Sequence, residues 1–316
     1  MNTETQTKAY TIERLSANNL PDVEKLHAAV YGKMPQPGFF IKKYDTSFTA
    51  IKYIGFVAYN IDRIPIGYYG VIPCFIRFDD RIVLAAQSAD TMTHPQHRFK
   101  GLFVDLSNLT FQLCRSSGIK LLFGFPNQNS LPGAINKLGW QMTERMDCFI
   151  ITTGAFTWGR AINKLLFLKQ LFNDYQQKQI KKQVLQQPGI PNSVFQDGFA
   201  GVYRDHHYRQ YKTYAPSFII KLGDAALWIK IGRELLIGDI LIAPGDFDEM
   251  IQQLKQLARK LGISELQFHA SPGTTLHGLF SKQFHAIPSF PVLFQDFEGG
   301  LPIDRIKFTS ADIDTF

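Results

Sequence analysis

Two cations and a glycine stand within four residues of one another in the stretch Pro95-Gln96-His97-Arg98-Phe99-Lys100-Gly101-Leu102-Phe103. The segment before it, Ile82 to Thr93, is rich in β-forming residues, and the segment after it carries leucines at 102, 106, 109 and 113. A strand that feeds a short loop opening a helix is a natural anion site. The first helical N–H groups lack intrahelical partners, and the macrodipole places roughly half a positive charge there. Arg98 and Lys100 add mobile charge at that point, and Gly101 lets a phosphate approach the main chain. The stretch contains neither Gly-x-x-x-x-Gly-Lys-Ser/Thr nor Gly-x-Gly-x-x-Gly, so neither common nucleotide motif applies. The chemistry to expect is the grip of a pyrophosphate.

The elements that must position this loop are legible on both sides. Tyr10 to Leu15 alternates as a strand. A helix follows, with Pro21 in its first turn, Val23, Leu26 and Val30 on one face, and Gly32 as its stop. Residues 52–59 and 65–77 read as strands, and Asp79-Asp80 turns into the strand that precedes the loop. The leucine-spaced helix ends near Gly118, Ile119 to Phe125 is a short apolar strand, and Asn129-Ser130 opens a helix that stops at Gly139. Met142 to Thr152 closes this half as strand. Residues 160–187 hold no Gly or Pro and read as a basic connecting helix, with Lys164, Lys169, Lys178, Lys181 and Lys182. The linker follows at Gln186 to Pro191.

The second half echoes the first. Asp246, with Glu249 three residues on, predicts a capping box for a helix whose apolar face is Phe247, Met250, Ile251, Leu254, Leu257 and Leu261. Gly262-Ile263 opens a strand as Gly118-Ile119 does. Thr275 to Lys282 parallels Ser130 to Lys137. The order occurring twice predicts an internal duplication. It fails at one place: only Ala243-Pro244-Gly245 stands where the first copy has its basic loop.

With 316 residues the chain suits two domains. Its 45% apolar and 19% charged composition is that of an ordinary globular protein. The net charge of +7 favours an anionic ligand. Basic residues are not clustered with stacking aromatics, so a nucleic-acid partner is not expected. No apolar run approaches a membrane span, and the polar start Met1 to Thr5 is no leader, so a cytoplasmic protein without integral membrane association is expected. Cys74, Cys114 and Cys148 are odd in number and far apart, which argues for buried thiols rather than a disulfide framework or metal site.

Thr93 to Phe103 resembles the pyrophosphate loop of the GNAT superfamily of acyl-CoA N-acyltransferases. That loop reads Arg/Gln-x-x-Gly-x-Gly/Ala after a strand and a proline. Phe103 stands where that family carries a small residue. The element order of residues 10–152 is similar to the family's. Leu122 to Asn127 resembles its next strand, and Leu138-Gly139-Trp140 the end of its next helix. The resemblance implies an α/β (α+β) fold of two GNAT-like mixed-sheet domains in tandem, the first with the loop and the second without it. The domains would be residues 1–155 for acyl-CoA and 196–316 on the acceptor side, joined by 156–195. It implies acetyl-CoA or another acyl-CoA as cofactor, no metal, and an amine on a small molecule, amino sugar or peptide as acceptor. Thr91, Met92 and Thr93 would contact the cofactor arm, with a main-chain oxyanion donor near Met92. Gln96, His97, Arg98, Phe99, Lys100, Gly101, Leu102 and Phe103 would hold the pyrophosphate.

Asn127 and Asn129 are placed to touch the arm, although Asn129 equally suits a helix cap. Asp90, alternating with Thr91, is either a general base facing the acceptor or a structural carboxylate. Trp140 stands near the place where many members of the family carry a tyrosine acid. Tyr208, Arg209 and Tyr211, in a dense polar stretch, would recognise the acceptor or form a solvated helix face. The carboxylate of Phe316 would reach a cleft or end a packed tail. Two rivals share the fold: an aminoacyl transferase of the FemAB type, and an acyl-CoA-binding protein without turnover.

Overall fold

The computed structural model describes residues 10–98, 101–154, 174–176, 178–181 and 183–316. Most of the expected connecting helix, with Lys164, Lys169 and Lys182, lies outside the described residues, as do Phe99 and Lys100.

Two compact units form. The first comprises Met1–Phe75, Val83–Met142 and Leu293–Leu301. Its elements are β1 (Thr11–Arg14), α1 (Leu20–Tyr31), α2 (Phe39–Tyr44), β2 (Ile54–Tyr59), β3 (Pro65–Phe78), β4 (Arg81–Thr93), α3 (Leu102–Ser116), β5 (Leu121–Gly124) and α4 (Leu131–Leu138). The sheet runs β1-β2-β3-β4-β5 and is completed by the end of β13 (Ala286–Asp296). β1, β2 and β3 pair antiparallel, whereas β4 and β5 run parallel. Pro21 sits in the first turn of α1, and Gly32 ends it in the left-handed conformation. Both follow from the helix start and stop preferences of these residues. Leu102, Leu106, Phe111 and Cys114 of α3 share a core with Tyr69, Val71, Ala86, Leu122 and Trp140. Burial pushes the Cys114 thiol up to about 12.

The second unit comprises Ile76–Ile82, Thr143–Val292 and Pro302–Phe316. It holds β6 (Gln141–Thr152), β7 (Val184–Leu185), β8 (Gly201–Val202), α5 (His206–Tyr211), β9 (Phe218–Leu222), β10 (Ala225–Ile231), β11 (Leu235–Leu241), α6 (Phe247–Lys260), β12 (Glu265–Ala270) and α7 (Thr275–Ser281). Its sheet runs β6-β12-β11-β10-β9-β7. β11 and β12 are parallel, and β6 is antiparallel to β12. The apolar face expected of α6 is buried against Leu227, Ile229, Ile237, Leu266 and Phe268.

The units do not follow a single cut near residue 155. Residues 143–152 of β6 belong to the second unit, because Cys148 to Thr152 pair with Glu265 to His269. In return, Leu293 to Asp296 of β13 pair with Leu121 to Gly124 and belong to the first. The capping box expected at Asp246 is not made: Asp246 is the N-cap, but no side chain caps it, and Glu249 instead accepts from Gln253 at 2.9 Å. A capping box does form between Thr309 and Asp312.

The parallel pairing of β11 and β12 stops at Ile237 and Phe268, although β11 runs on to Leu241. The end of the chain packs there. Thr309 bridges Ala270, Ser310 Oγ accepts from the His269 amide at 2.9 Å, and Phe308 O accepts from Ser271 N at 3.0 Å. The Phe316 ring lies against Gly238, where a Cβ would come within 2.2 Å of it. The segment is tied down by Arg204, which is fully buried. Its Nη1 pairs with Asp239 at 2.5 Å, its Nη2 with Asp312 at 2.8 Å, and its Nη2 also donates to Thr309 Oγ1 at 2.8 Å. Ser193 supplies an amide and a hydroxyl to Asp239. Burial raises the Asp312 carboxyl above the ordinary carboxylate value, despite the opposing pull of Arg204.

A buried cation removed from such a cluster leaves its partners uncompensated. Arg204→Met is expected to destabilise the second unit by about 3–5 kcal/mol, read as a fall in the urea midpoint. His269 gives a pH effect. Its ring is half-buried beside Ser289, and that burial lowers its pKa to about 4. Between pH 4 and the unfolded value of about 6.5, the unfolded chain binds more protons, so stability falls as pH falls. His269→Gln should remove on the order of 3 kcal/mol of that slope, measured as urea midpoints from pH 7.5 to 4.5.

Candidate functional site

β4 pairs with β5 from Ala85/Leu121 to Ser88/Gly124, and there the pairing ends. β4 nevertheless continues to Thr93. The chain after β5 turns away through Phe125 and Pro126, and proline has no N–H to continue a ladder. Two residues past the last pair, Asp90 adopts a left-handed φ of 43°. Such a residue breaks the alternation of a strand and redirects it. Among the described residues, 89–93 therefore keep β3 as their one strand neighbour, and His94 N donates to Ile66 O at 2.9 Å. Met92 is buried, while Thr91 and Thr93 are half-buried.

The strand ends in a single 3-10 turn, Pro95–His97, in which His94 accepts from Gln96 N. Gln96 and Arg98 are exposed and His97 is half-buried. Gly101 is the N-cap of α3, left-handed at φ 81°, and no side chain caps the helix. Among the described residues, a Cβ on Gly101 would meet nothing within 4 Å. The helix start is fixed from below: Leu102 and Leu106 lie over Gly67, where a Cβ would come within 3.1 Å of Leu106. Asp105 in the first turn is held by Tyr10. Among the described residues, no side chain caps the first amides of α3, the feature on which an anion site at this helix start would depend. The strand main chain released from β5 fits an amide-bearing arm.

Phe103 is accommodated by a partner. It packs against Gly133 of α4, where a Cβ would lie 3.0 Å from the ring, and it tilts against Tyr69 at 6.3 Å. Because β4 and β5 are parallel, the loop after β5 lies at the same edge of the sheet as residues 91–98. That places Asn127 and Asn129, both exposed, at the edge where β4 ends. Asn127 rather than Asn129 builds the turn into α4: its Oδ1 accepts from Asn129 N at 2.9 Å and Ser130 N at 3.1 Å.

The carboxylate of Asp90 is engaged. Lys43 Nζ lies 2.6 Å from Oδ2, and Tyr44 Oη donates to the same oxygen at 2.8 Å. These contacts are those of the structural carboxylate that was the alternative to a general base, and they come from α2, whose buried lysine the sequence did not single out. The sequence also gave no notice of Tyr69, whose hydroxyl is 2.8 Å from Ser88 Oγ at the last β4–β5 pair. Trp140 is buried against Phe111.

The remaining expected residues belong to the second unit. Tyr208 is buried in α5, and Arg209 donates to the carbonyls of Asp205 at 3.2 Å and Gly189 at 3.4 Å, so its fork is occupied by its own chain. Tyr211 is half-buried and tilts against Tyr214 at 5.2 Å. Phe316 is buried edge-on to Trp228 at 5.8 Å, as a packed tail would be. Among the described residues no group of three His, Cys, Asp or Glu side chains is arranged to hold a metal, and no helix is long and apolar enough to cross a membrane.

Comparison with known proteins agrees with this geometry. Residues 11–143 match the family model of the acetyltransferase (GNAT) domain. Among solved structures, the chain is similar to a GCN5-related N-acetyltransferase from Kribbella flavida, at 12% identity and a TM-score of 0.53, covering 92% of this chain and 72% of that one. A GCN5-related N-acetyltransferase from Anabaena variabilis gives 13% and 0.56, covering 91% and 73%. A conserved protein of unknown function from Enterococcus faecalis gives 11% and 0.59, covering 92% and 73%. These likenesses concern the fold. No curated protein matches the sequence. A strand whose pairing with its neighbour ends before an arginine and the start of a helix thus lies within residues 11–143, the stretch similar to the acetyltransferase (GNAT) domain.

Proposed function

We propose that the first unit binds an acyl-CoA, most simply acetyl-CoA, and serves transfer of its acyl group to a primary amine on a small molecule, amino sugar or peptide. The observation that carries this reading is the parting of β4 from β5 at Ser88/Gly124, directly upstream of Arg98 and the open N-terminus of α3. When bound, the thioester supplies an activated acyl carbonyl. The chain's own part is to bind and orient. The main chain of Thr91 to Thr93 receives the arm by strand-like hydrogen bonds, and an N–H near Met92 is the oxyanion donor in this reading. Arg98, with the first amides of α3, holds the pyrophosphate. Holding two reactants in line can alone contribute about 7–11 kcal/mol.

Asp90, with its carboxylate on Lys43 and Tyr44, is assigned a positional part. Trp140, buried against Phe111, is not assigned as an acid. The second unit, with the same order of long helix, parallel strand and short helix, is read as a GNAT-like copy on the acceptor side.

Titration with acetyl-CoA is expected to give a Kd on the order of 1 μM, about −8 kcal/mol. Arg98→Glu should weaken it at least about tenfold while the melting temperature stays put. Unchanged binding in that variant would show the loop assignment to be wrong. Thiol release in the presence of a panel of amines then tests transfer itself. Gly101→Ala separates conformation from space. With no neighbour within 4 Å, its effect comes from left-handed strain alone, about 1–2 kcal/mol of stability, read from the urea midpoint.

A further inference from the structure

Lys43 is 2% exposed, which is rare for lysine, and sits on the short helix α2 among aromatic side chains. Its Nζ and the hydroxyl of Tyr44 converge on one oxygen, Oδ2 of Asp90, at 2.6 and 2.8 Å. Tyr44 is itself buried. Burial first, and the Asp90 charge second, raise its pKa well above the ordinary tyrosine value, so the hydroxyl keeps its proton and donates. The ring of Tyr44 meets Tyr68 edge-on at 5.7 Å. Gly70 leaves the room for both: a Cβ there would lie 2.1 Å from the Tyr68 hydroxyl and 3.0 Å from the Tyr44 ring. α2 is thereby fitted against β3, with its polar tips aimed at β4.

The residue they hold is the one with the left-handed backbone, φ 43°. That conformation is disfavoured for a residue with a Cβ by roughly 1–2 kcal/mol, and it persists where surrounding contacts over-determine it. It also falls two residues beyond the last β4–β5 pair, where the strand must turn out of register.

We propose that Lys43 and Tyr44 are positioning residues: through Asp90 they hold β4 apart from β5 and so set the main chain of residues 91–93 for the acyl carrier. The consequence for the carrier rests on the acyl-CoA reading of the first unit, whereas the clasp itself does not. A carboxylate that moves a proton must be present as a side chain. A carboxylate that holds a backbone turn is needed only for the conformation, and glycine adopts that conformation without steric cost. Asp90→Gly therefore makes the clasp dispensable.

The first measurement is amide hydrogen exchange over Ala89–Thr93 in the unloaded protein. Lys43→Met is expected to change exchange there by about tenfold, leave Phe247–Lys260 of α6 unchanged, and have no further effect once Asp90 is glycine. The second is titration with acetyl-CoA. Lys43→Met should weaken binding about tenfold and Lys43→Arg should restore most of it. Asp90→Gly should bind within about threefold of the parent, and adding Lys43→Met to it should change nothing. If Lys43→Met fails to fold, Tyr44→Phe removes only the 2.8 Å bond and must shift both readouts in the same direction. Exchange unaltered by Lys43→Met, or an equal loss of binding in both Asp90 backgrounds, overturns the proposal. A parent protein that does not bind acetyl-CoA refutes the acyl-CoA reading, and the exchange measurement still decides the clasp.

Discussion

Parallel strands share a ladder only while their backbones stay about 4.8 Å apart, and buried backbone groups that leave a ladder need other partners. The first unit is organised around one such departure. β4 and β5 pair for four residues, and then Pro126 withdraws one strand while the left-handed Asp90 redirects the other. Each nearby element has a part in keeping the gap where it is. Tyr69 bonds Ser88 at its base, α2 holds Asp90 at its side, and α3 is seated over Gly67 at its far end. In the acyl-CoA reading proposed above, a strand left in this way receives strand-like amides, followed by an anion at the helix start. That pairing of demands is narrower than a phosphate site alone.

The second unit meets the same constraint with its own chain. β11 outruns its parallel pairing with β12, as β4 outruns β5, but here residues 308–310 bond the end of β12 and the residue after it. The amides of His269 and Ser271 are satisfied from that segment, and the Phe316 ring fills the notch over Gly238. Arg204 joins Asp312 to Asp239, so a buried salt-bridged network fastens the segment to β11. Such a network is weak as a source of net stability but strongly selective for one arrangement. The lack of a basic loop before α6 is consistent with this, because a gap already filled from within has no anion to receive.

What the sequence made legible follows from period and punctuation. The β-rich run before Thr93, the leucine spacing after Gly101, Pro21 with Gly32, and the apolar face of α6 all stand as expected, because local rules decide them. The strand exchange between residues 143–152 and 293–301 was not legible. Nothing local distinguishes a strand that pairs with its own half from one that pairs elsewhere. The same limit applies to Lys43. In Phe39-Phe40-Ile41-Lys42-Lys43-Tyr44 two lysines stand side by side, and only the tertiary fit of α2 decides that Lys43 is buried against Asp90. Asp90 was noticed for its charge and its place beside Thr91, yet its left-handed φ has no signature in an aspartate. Asn127 and Asn129 show the same limit, since their order decides which one builds the turn into α4, and neither caps the helix.

Phe103 shows why a motif departure should be judged against its neighbours. In the resembling family a small residue follows the loop glycine by two positions, and a phenylalanine there suggests a blocked site. The requirement is that α3 and α4 approach closely beside the loop, and this can be met from either side. Here the bulk stands on α3 and the absence of a side chain on α4, at Gly133, with Tyr69 closing the third side. The ring is thus engaged in the contact with Gly133, and among the described residues none comes within 4 Å of a Cβ at Gly101. Size at 103 and size at 133 are one constraint distributed over two positions. A match to the motif residue by residue registers half of it, whereas the packing between the helices registers the whole.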